Sequence, residues 1–252
     1  MTLRRALLAS LFGGVFIIGL CVFAPASLMS YALERLSGGM MSLAQTTGSL
    51  WQGSGVVLLR QSARYQTLGS YRWNLRLPGT TLQVQAGESA PMTLHYSPFA
   101  GRIDIDNLHF ALPASSIELA APQLGPYQLQ GTLEVTGDHL ALDAAGVDGQ
   151  VTVDWVRAAS ALSEIRPLGD YRIALKGHGA GLDAELSTLS GKLLLSATGS
   201  FDKVNGMLIN GTAQAAPGAA AEELNELLHH LGPEINPGVF KLALMPQPAA
   251  AH

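Results

Sequence analysis

Strict two-residue alternation constrains the fold of this chain more than any other feature. Tyr71-Arg72-Trp73-Asn74-Leu75-Arg76-Leu77 puts Tyr, Trp and two Leu on one side and Arg, Asn and Arg on the other. Period two is the strand period; wound as a helix, the same stretch scatters its apolar residues around the whole circumference. Leu129–Val135, Val151–Trp155, Tyr171–Lys176 and Leu182–Leu186 repeat the pattern. Such segments predict antiparallel strands with one covered and one wet face. Weaker candidates are Val56–Arg60, Leu82–Ala86, Met92–Tyr96, Arg102–Asp106, Leu140–Asp143, Lys192–Ala197, Met207–Ala213 and Val239–Leu244. Gly, Pro and Asp separate them at hairpin distances. The expected fold is all-β: an extended, curved and twisted antiparallel sheet of about a dozen short strands with short capping helices. Composition agrees, since only 13% of residues are charged and 28 are Gly, a mix that suits strands and turns better than helix surfaces.

The N-terminus reads differently. Arg4 and Arg5 are followed by no charge until Glu34. A helix over Ala6–Ala24 spans ~28 Å at ~1.5 Å per residue, close to the ~30 Å hydrocarbon core of a bilayer. The Arg pair then stays cytoplasmic by the positive-inside rule. The expected organisation is a cytoplasmic N-terminus over 1–5 and a transmembrane anchor over 6–24. A membrane-proximal linker or helix follows over 25–46, then a periplasmic β-rich domain over 47–244 and a disordered tail over 245–252. The rival reading is a cleaved signal peptide, because Ala24-Pro25-Ala26 has the A-x-A form; against it, the apolar region exceeds the ~7–15 residues usual for such peptides. The single Cys, Cys21, lies inside the apolar run. No other thiol is present to form a disulfide or hold zinc.

A short motif recurs as Leu68-Gly69-Ser70-Tyr71, Leu124-Gly125-Pro126-Tyr127 and Leu168-Gly169-Asp170-Tyr171. Helix candidates Ser115–Ala121 and Ala158–Ile165 precede the last two copies. The expectation is a duplicated helix–turn–strand unit, with each Gly supplying a positive φ and each Tyr ring packed on the covered face. A partial copy, Leu231-Gly232-Pro233, follows the strongest helix signal of the β-rich region, Ala219–Leu231. There Leu224, Leu227, Leu228 and Leu231 share one face and Gly232 sits just past the end.

Chemistry-bearing motifs are absent: no G-x-S-x-G, H-E-x-x-H, G-x-x-x-x-G-K-[ST] or C-x-x-C occurs. His229 and His230 are adjacent on a predicted helix, so their side chains diverge by about 100°. Asp104 and Asp106 share a strand face, a pattern that a wet sheet surface accounts for. The chain is acidic overall, with formal net charge −4, and carries no basic patch for nucleic acid. No enzyme activity, cofactor, metal or small-molecule substrate is expected. Three classes of function remain: an interaction subunit of an envelope complex, a lipid-handling protein with an apolar β-groove, and a hydrolase of unseen type.

The order of motifs carries a resemblance. A Lys/Arg-started anchor precedes Thr47-Gly48-Ser49-Leu50-Trp51-Gln52-Gly53, and Tyr71-Arg72-Trp73-Asn74-Leu75 follows. Glycine-led strands over 131–135 and 149–155 come next, then Pro167-Leu168-Gly169-Asp170-Tyr171, a leucine helix and Asn236-Pro237-Gly238-Val239-Phe240-Lys241-Leu242. This layout resembles protein N of the bacterial type II (general) secretion pathway. The resemblance implies a single-pass inner-membrane protein with a periplasmic domain, accessory to the machine that exports folded proteins through an outer-membrane secretin. Its implied partners are the secretin or the inner-membrane platform proteins, and it brings no catalytic residues. It also implies that Trp51 opens the first strand, framed by Gly48 and Gly53. Trp51 is then expected to be a packing anchor; a partner hot spot and a membrane-interface aromatic are the alternatives. The motif residues expected to matter are Gly48, Leu50, Trp51, Gly53, Tyr71, Trp73, Gly125, Tyr127, Gly169 and Tyr171.

Overall fold

The computed structural model describes residues 19, 23–61, 64–76, 80–120, 122–202, 206–218 and 221–242. Of the expected anchor only Gly19, Phe23 and Ala24 fall within these residues, and the expected tail lies outside them. Among the described residues no helix is long and apolar enough to cross a membrane. The chain divides into two compact units, Met1–Pro91 and Met92–His252.

The first unit opens with helix α1 (Ser27–Leu36) and continues as an antiparallel meander. Its strands are β1 (Met41–Gly48), β2 (Gln52–Gln61), β3 (Arg64–Arg76) and β4 (Thr81–Ala86). Burial follows the alternation in β3: Trp73 is buried, Tyr71 and Leu75 are half-buried, and Arg72 and Arg76 are exposed. Asn74 is half-buried as well, on a polar face otherwise built from Thr47, Ser54, Gln83 and Gln85. Strand β1 begins at Met41, inside the range read as linker. Its sequence hides it: Met41–Gly48 carries no charge to mark a wet face. A bulge between Ala44 and Thr47, with Gln45 at φ 51°, also breaks the alternation.

The second unit is a longer meander. Its first strands are β5 (Met92–Ser97), β6 (Arg102–Pro113), β7 (Gln130–Leu142) and β8 (Val147–Ala159). It continues with β9 (Gly169–Gly179), β10 (Gly181–Gly191), β11 (Leu193–Asp202) and β12 (Gly206–Ala215). Helix α2 (Ile117–Ala120) and helix α3 (Ala221–Leu231) interrupt it. After α3 come β13 (Glu234–Asn236) and β14 (Val239–Leu242), with β14 paired to β12 and β13 outside it. Register aligns apolar residues across neighbouring strands: Phe110, Val135, Val153, Ile173, Leu186 and Ala197 form one row. Charged and hydroxyl side chains fill the opposite face.

Strands are longer than expected, and β7 fuses two predicted strands. Gly137-Asp138-His139 reads as a turn but is accommodated as a register shift between Thr136 and Leu140. The core lies at one end of the apolar face, where Leu224, Leu227 and Leu228 of α3 pack on Leu193, Ala213, Phe240, Ile165 and Leu168. Each such Leu contributes about 1.5–3 kcal/mol of burial.

The helix expected over Ala158–Ile165 does not form. Ala158 and Ala159 complete β8, and the chain then turns through two buried serines. Ser160 Oγ donates to the Tyr127 carbonyl at 2.7 Å and accepts from the Leu162 amide at 3.2 Å, while Ser163 Oγ accepts from the Ile165 amide at 3.1 Å. These local bonds take backbone groups that a helix needs. Nor do the motif copies form a duplicated unit: Tyr71 lies within β3, Tyr127 ends a 3-10 turn over Pro122–Tyr127, and Tyr171 follows the start of β9. Of the motif glycines, Gly69 has positive φ (134°). Gly169 and Gly232 are needed instead for close approach, since a Cβ there would run into the carbonyl oxygens of Ser190 and Lys241 respectively.

Candidate functional site

The heptapeptide 47–53 forms the tip of the β1–β2 hairpin. Gly48 (φ 92°) pairs with Gly53, and the Ser49 amide donates to the Gln52 carbonyl at 2.8 Å. Ser49 Oγ also accepts from the Gln52 amide at 3.2 Å. The turn therefore satisfies part of its own backbone and presents the carbonyls of Ser49 and Leu50 to β3. There the Trp73 indole N–H donates to both, at 3.2 Å each. A buried Trp requires such an acceptor. Gly53 makes room for the ring: a Cβ at that position would stand 2.5 Å from Trp73 Cζ2 and 2.6 Å from the Thr47 carbonyl oxygen.

The other side of the same turn holds the segment that follows the apolar run. The Leu50 amide donates to the Ala24 carbonyl at 2.8 Å, and Pro25 forms a β-bridge with Ser49. Ala24 and Ala26 are buried. One turn thus joins the chain leaving residues 6–24 to the sheet through Trp73. The expected anchor residue was Trp51, which is half-buried and outside the buried core; the buried Trp of this region is Trp73. Trp51 contributes its backbone carbonyl, which accepts from the Leu75 amide at 2.7 Å. Tyr71 is half-buried one pair further along β3, and burial raises its hydroxyl above the usual tyrosine range.

Two serines that the sequence reading did not single out complete this site. Ser30 Oγ donates to the Leu43 carbonyl (3.0 Å) and accepts from the Leu43 amide (3.2 Å). Ser37 Oγ does the same for Met41, at 3.2 and 2.9 Å. Met41 and Leu43 are alternate residues of β1, so these bonds occupy main-chain groups that face away from β2. The signal was present as a seven-residue Ser spacing, two helical turns on one face of α1. Ser30→Ala or Ser37→Ala is expected to cost about 1 kcal/mol and to speed amide exchange at Leu43 or Met41 respectively; unchanged exchange would count against this role.

The remaining motif residues sit in the second unit and do not join this site. Tyr171 is fully buried, packs with its ring centre 5.6 Å from that of Trp155 at a 45° tilt, and donates its hydroxyl to the Leu193 carbonyl at 2.9 Å. Burial, then the neighbouring Asp170, raises its pKa far above the usual range. Tyr127 donates to the His230 carbonyl at 3.1 Å and so ties the 3-10 turn to the end of α3. Gly125 has open space where a Cβ would stand.

The charged face is locally paired. Asp104 meets Arg102 at 2.7 Å, and Asp106 meets His139 Nδ1 at 2.7 Å. Among the described residues no group of His, Cys, Asp and Glu is placed to hold a metal ion. Arg172 forms a two-point bond with Asp154, 2.7 Å on each oxygen, which holds the Asp154 carboxyl below its usual range. With the folded pKa depressed, this stabilisation is present above the ordinary Asp value, about 3.9, and is lost as pH falls through the folded value. Arg172→Ala is therefore expected to be less stable than the parent at neutral pH. The difference should close in urea melts as pH drops below about 4.

Comparison with known proteins gives one match. The family described as Type II secretion system (T2SS), protein N matches residues 40–243. No curated protein matches the chain, and no solved structure does. The matched span starts beside β1, reaches into both units and contains all ten motif residues, and the chain belongs to the protein N family of the type II secretion system.

Proposed function

We propose that this protein is an accessory inner-membrane component of the type II machinery that acts through protein–protein contact. Residues 6–24 anchor it as a single pass, with Arg4 and Arg5 cytoplasmic and the β-rich units periplasmic. It performs no catalysis and needs no cofactor. Family membership places it in type II secretion. The observation that carries the proposal is the joint at Ser49–Leu50, because it fixes the direction of the emerging chain relative to the first sheet. A tethered, oriented scaffold needs such a joint; a freely diffusing protein does not.

Contact can run through an edge strand or through the sheet face, and strands β1 and β13 disfavour strand addition. Edge strand β1 has main-chain groups of Met41 and Leu43 bonded by Ser37 and Ser30. Edge strand β13 is three residues long and lies between Pro233 and Pro237. The charged sheet face is then the surface that meets the secretin or an inner-membrane platform protein. Photo-crosslinkers at the exposed positions Glu134, Thr136, Glu185 and Thr198 should capture a secretion component in cells. Recovery of uncrosslinked protein alone from all four positions would contradict the reading.

A lipid-handling role is the second reading, favoured by the apolar rows of the second unit. Val151, Val153, Ile173, Leu175 and Leu186 are half-buried beyond the α3 cap, with no polar side chain among them. Phospholipid adducts from crosslinkers at Val151 or Leu175 would support it over the first.

A further inference from the structure

We propose that the outward face of α1 lies in the headgroup region of the bilayer, so that the first unit rests on the membrane surface instead of standing off it. The inference rests on the anchor reading and goes beyond it. A single-pass anchor leaves open whether the following domain touches lipid.

Helix α1 has two chemically distinct sides. At about 100° per residue, Ser30, Leu33 and Ser37 share the side that meets β1. Leu28, Tyr31 and Arg35 share the opposite side, with Leu36 on its flank. Leu28 is 44% exposed, Tyr31 56% and Leu36 88%. Phe23 and Met40, just before and after the helix, are exposed as well. Five large apolar side chains thus stand in solvent within eighteen residues of the apolar run, counted from Phe23 to Met40. Isolated exposed apolar residues are ordinary, but a contiguous group marks an interaction surface.

The polar groups on this side suit a lipid headgroup. Arg35 donates through Nε to the Tyr31 hydroxyl at 3.0 Å and sits 5.2 Å from the centre of the Tyr31 ring. Among the described residues it has no carboxylate in ion-pair contact, whereas Arg102 and Arg172 of the second unit are each paired with an Asp. Tyr and Arg at the end of an apolar stretch are the residues that settle at the water–lipid boundary. Charge points the same way. From Phe23 to Pro91 the chain carries Arg35, Arg60, Arg64, Arg72 and Arg76 against Glu34 and Glu88. All the other acidic residues lie beyond residue 91. The cationic unit is therefore the one nearest the anchor, which matches an anionic phospholipid surface. A protein partner of equal apolar area would also bury Tyr31 and Leu36, so the occupant must be read directly.

The test uses the full chain in nanodiscs that contain phosphatidylglycerol, with Cys21→Ser as background. Nitroxide labels go on Leu28→Cys, Leu36→Cys and Gln66→Cys, the last an exposed position on β3. Labels at 28 and 36 should relax more readily with oxygen than with a nickel chelate, and the label at 66 should do the reverse. Position 36 as nickel-accessible as position 66, in protein that stays with the disc, overturns the inference and leaves the anchor standing. Protein that does not stay with the disc overturns both.

Discussion

Trp73→Ala should destabilise the first unit by about 3–5 kcal/mol, the range for truncating a buried aromatic. Trp73 is 5% exposed, and its indole is the donor to Ser49 and Leu50. The substitution removes packing, leaves two carbonyls short of a donor and frees the turn that Ala24 and Pro25 rest on. Trp51→Ala should cost less than half as much, because that side chain is half-buried and the turn uses its backbone. Urea unfolding of the two variants checks the order, and amide exchange at Leu50 checks the mechanism. Equal losses, or a larger loss for Trp51, would return Trp51 to the anchor role. If Trp51 is instead a partner hot spot, its Ala variant keeps abundance and melting temperature while losing crosslinks to the partner.

The second large effect belongs to α3. Leu227 is 2% exposed against Leu193, Ala213 and Phe240, so Leu227→Ala should cost about 2–5 kcal/mol. Leu224→Ala should behave alike, and the pair should be non-additive because both face one cluster. The cap also holds the 3-10 turn through Tyr127 and His230. Loss of α3 packing should therefore raise amide exchange around Tyr127 as well as in the helix. Unaltered exchange at Tyr127 would show that the turn is held independently.

The sheet was legible because its strands carry period two with polar residues on the wet side. Tyr71–Arg76 and Leu182–Leu186 fall in strands with the expected faces, and Val151–Trp155 falls in a strand where these five residues are all half-buried. The match fades where polarity does not mark the face. Strand β1 has no charge and contains a bulge, so it read as linker, and the Asp138 bulge inside β7 read as a turn. Helix α3 was legible from four leucines at helical spacing. The false helix at Ala158–Ile165 has acceptable propensity; buried Ser160 decides against it through a bond to the Tyr127 carbonyl that no local pattern encodes, and Ser163 takes the Ile165 amide. For the site, the sequence marked the heptapeptide and both Trp51 and Trp73, and favoured Trp51 as the packing anchor, whereas the buried one is Trp73. Trp51 lies inside the motif, whereas the residue that holds the motif is twenty-two positions later and faces it only after β2 and β3 pair. The glycines of the recurring motif were read as conformational, yet Gly169 and Gly232 serve close approach to chains 21 and 9 residues away in sequence. Local reading cannot register such distances.

The central claim is that this family member serves secretion through contact with other components of the machine. It is tested most directly by secreted activity of a type II substrate in cells that lack the chain. Export should fall, in whole or in part, and return with the parent sequence but less well with Trp73→Ala. The distribution of phospholipid between inner and outer membranes should stay unchanged. Normal export together with altered lipid distribution would contradict the account and transfer the function to the apolar face of the second unit.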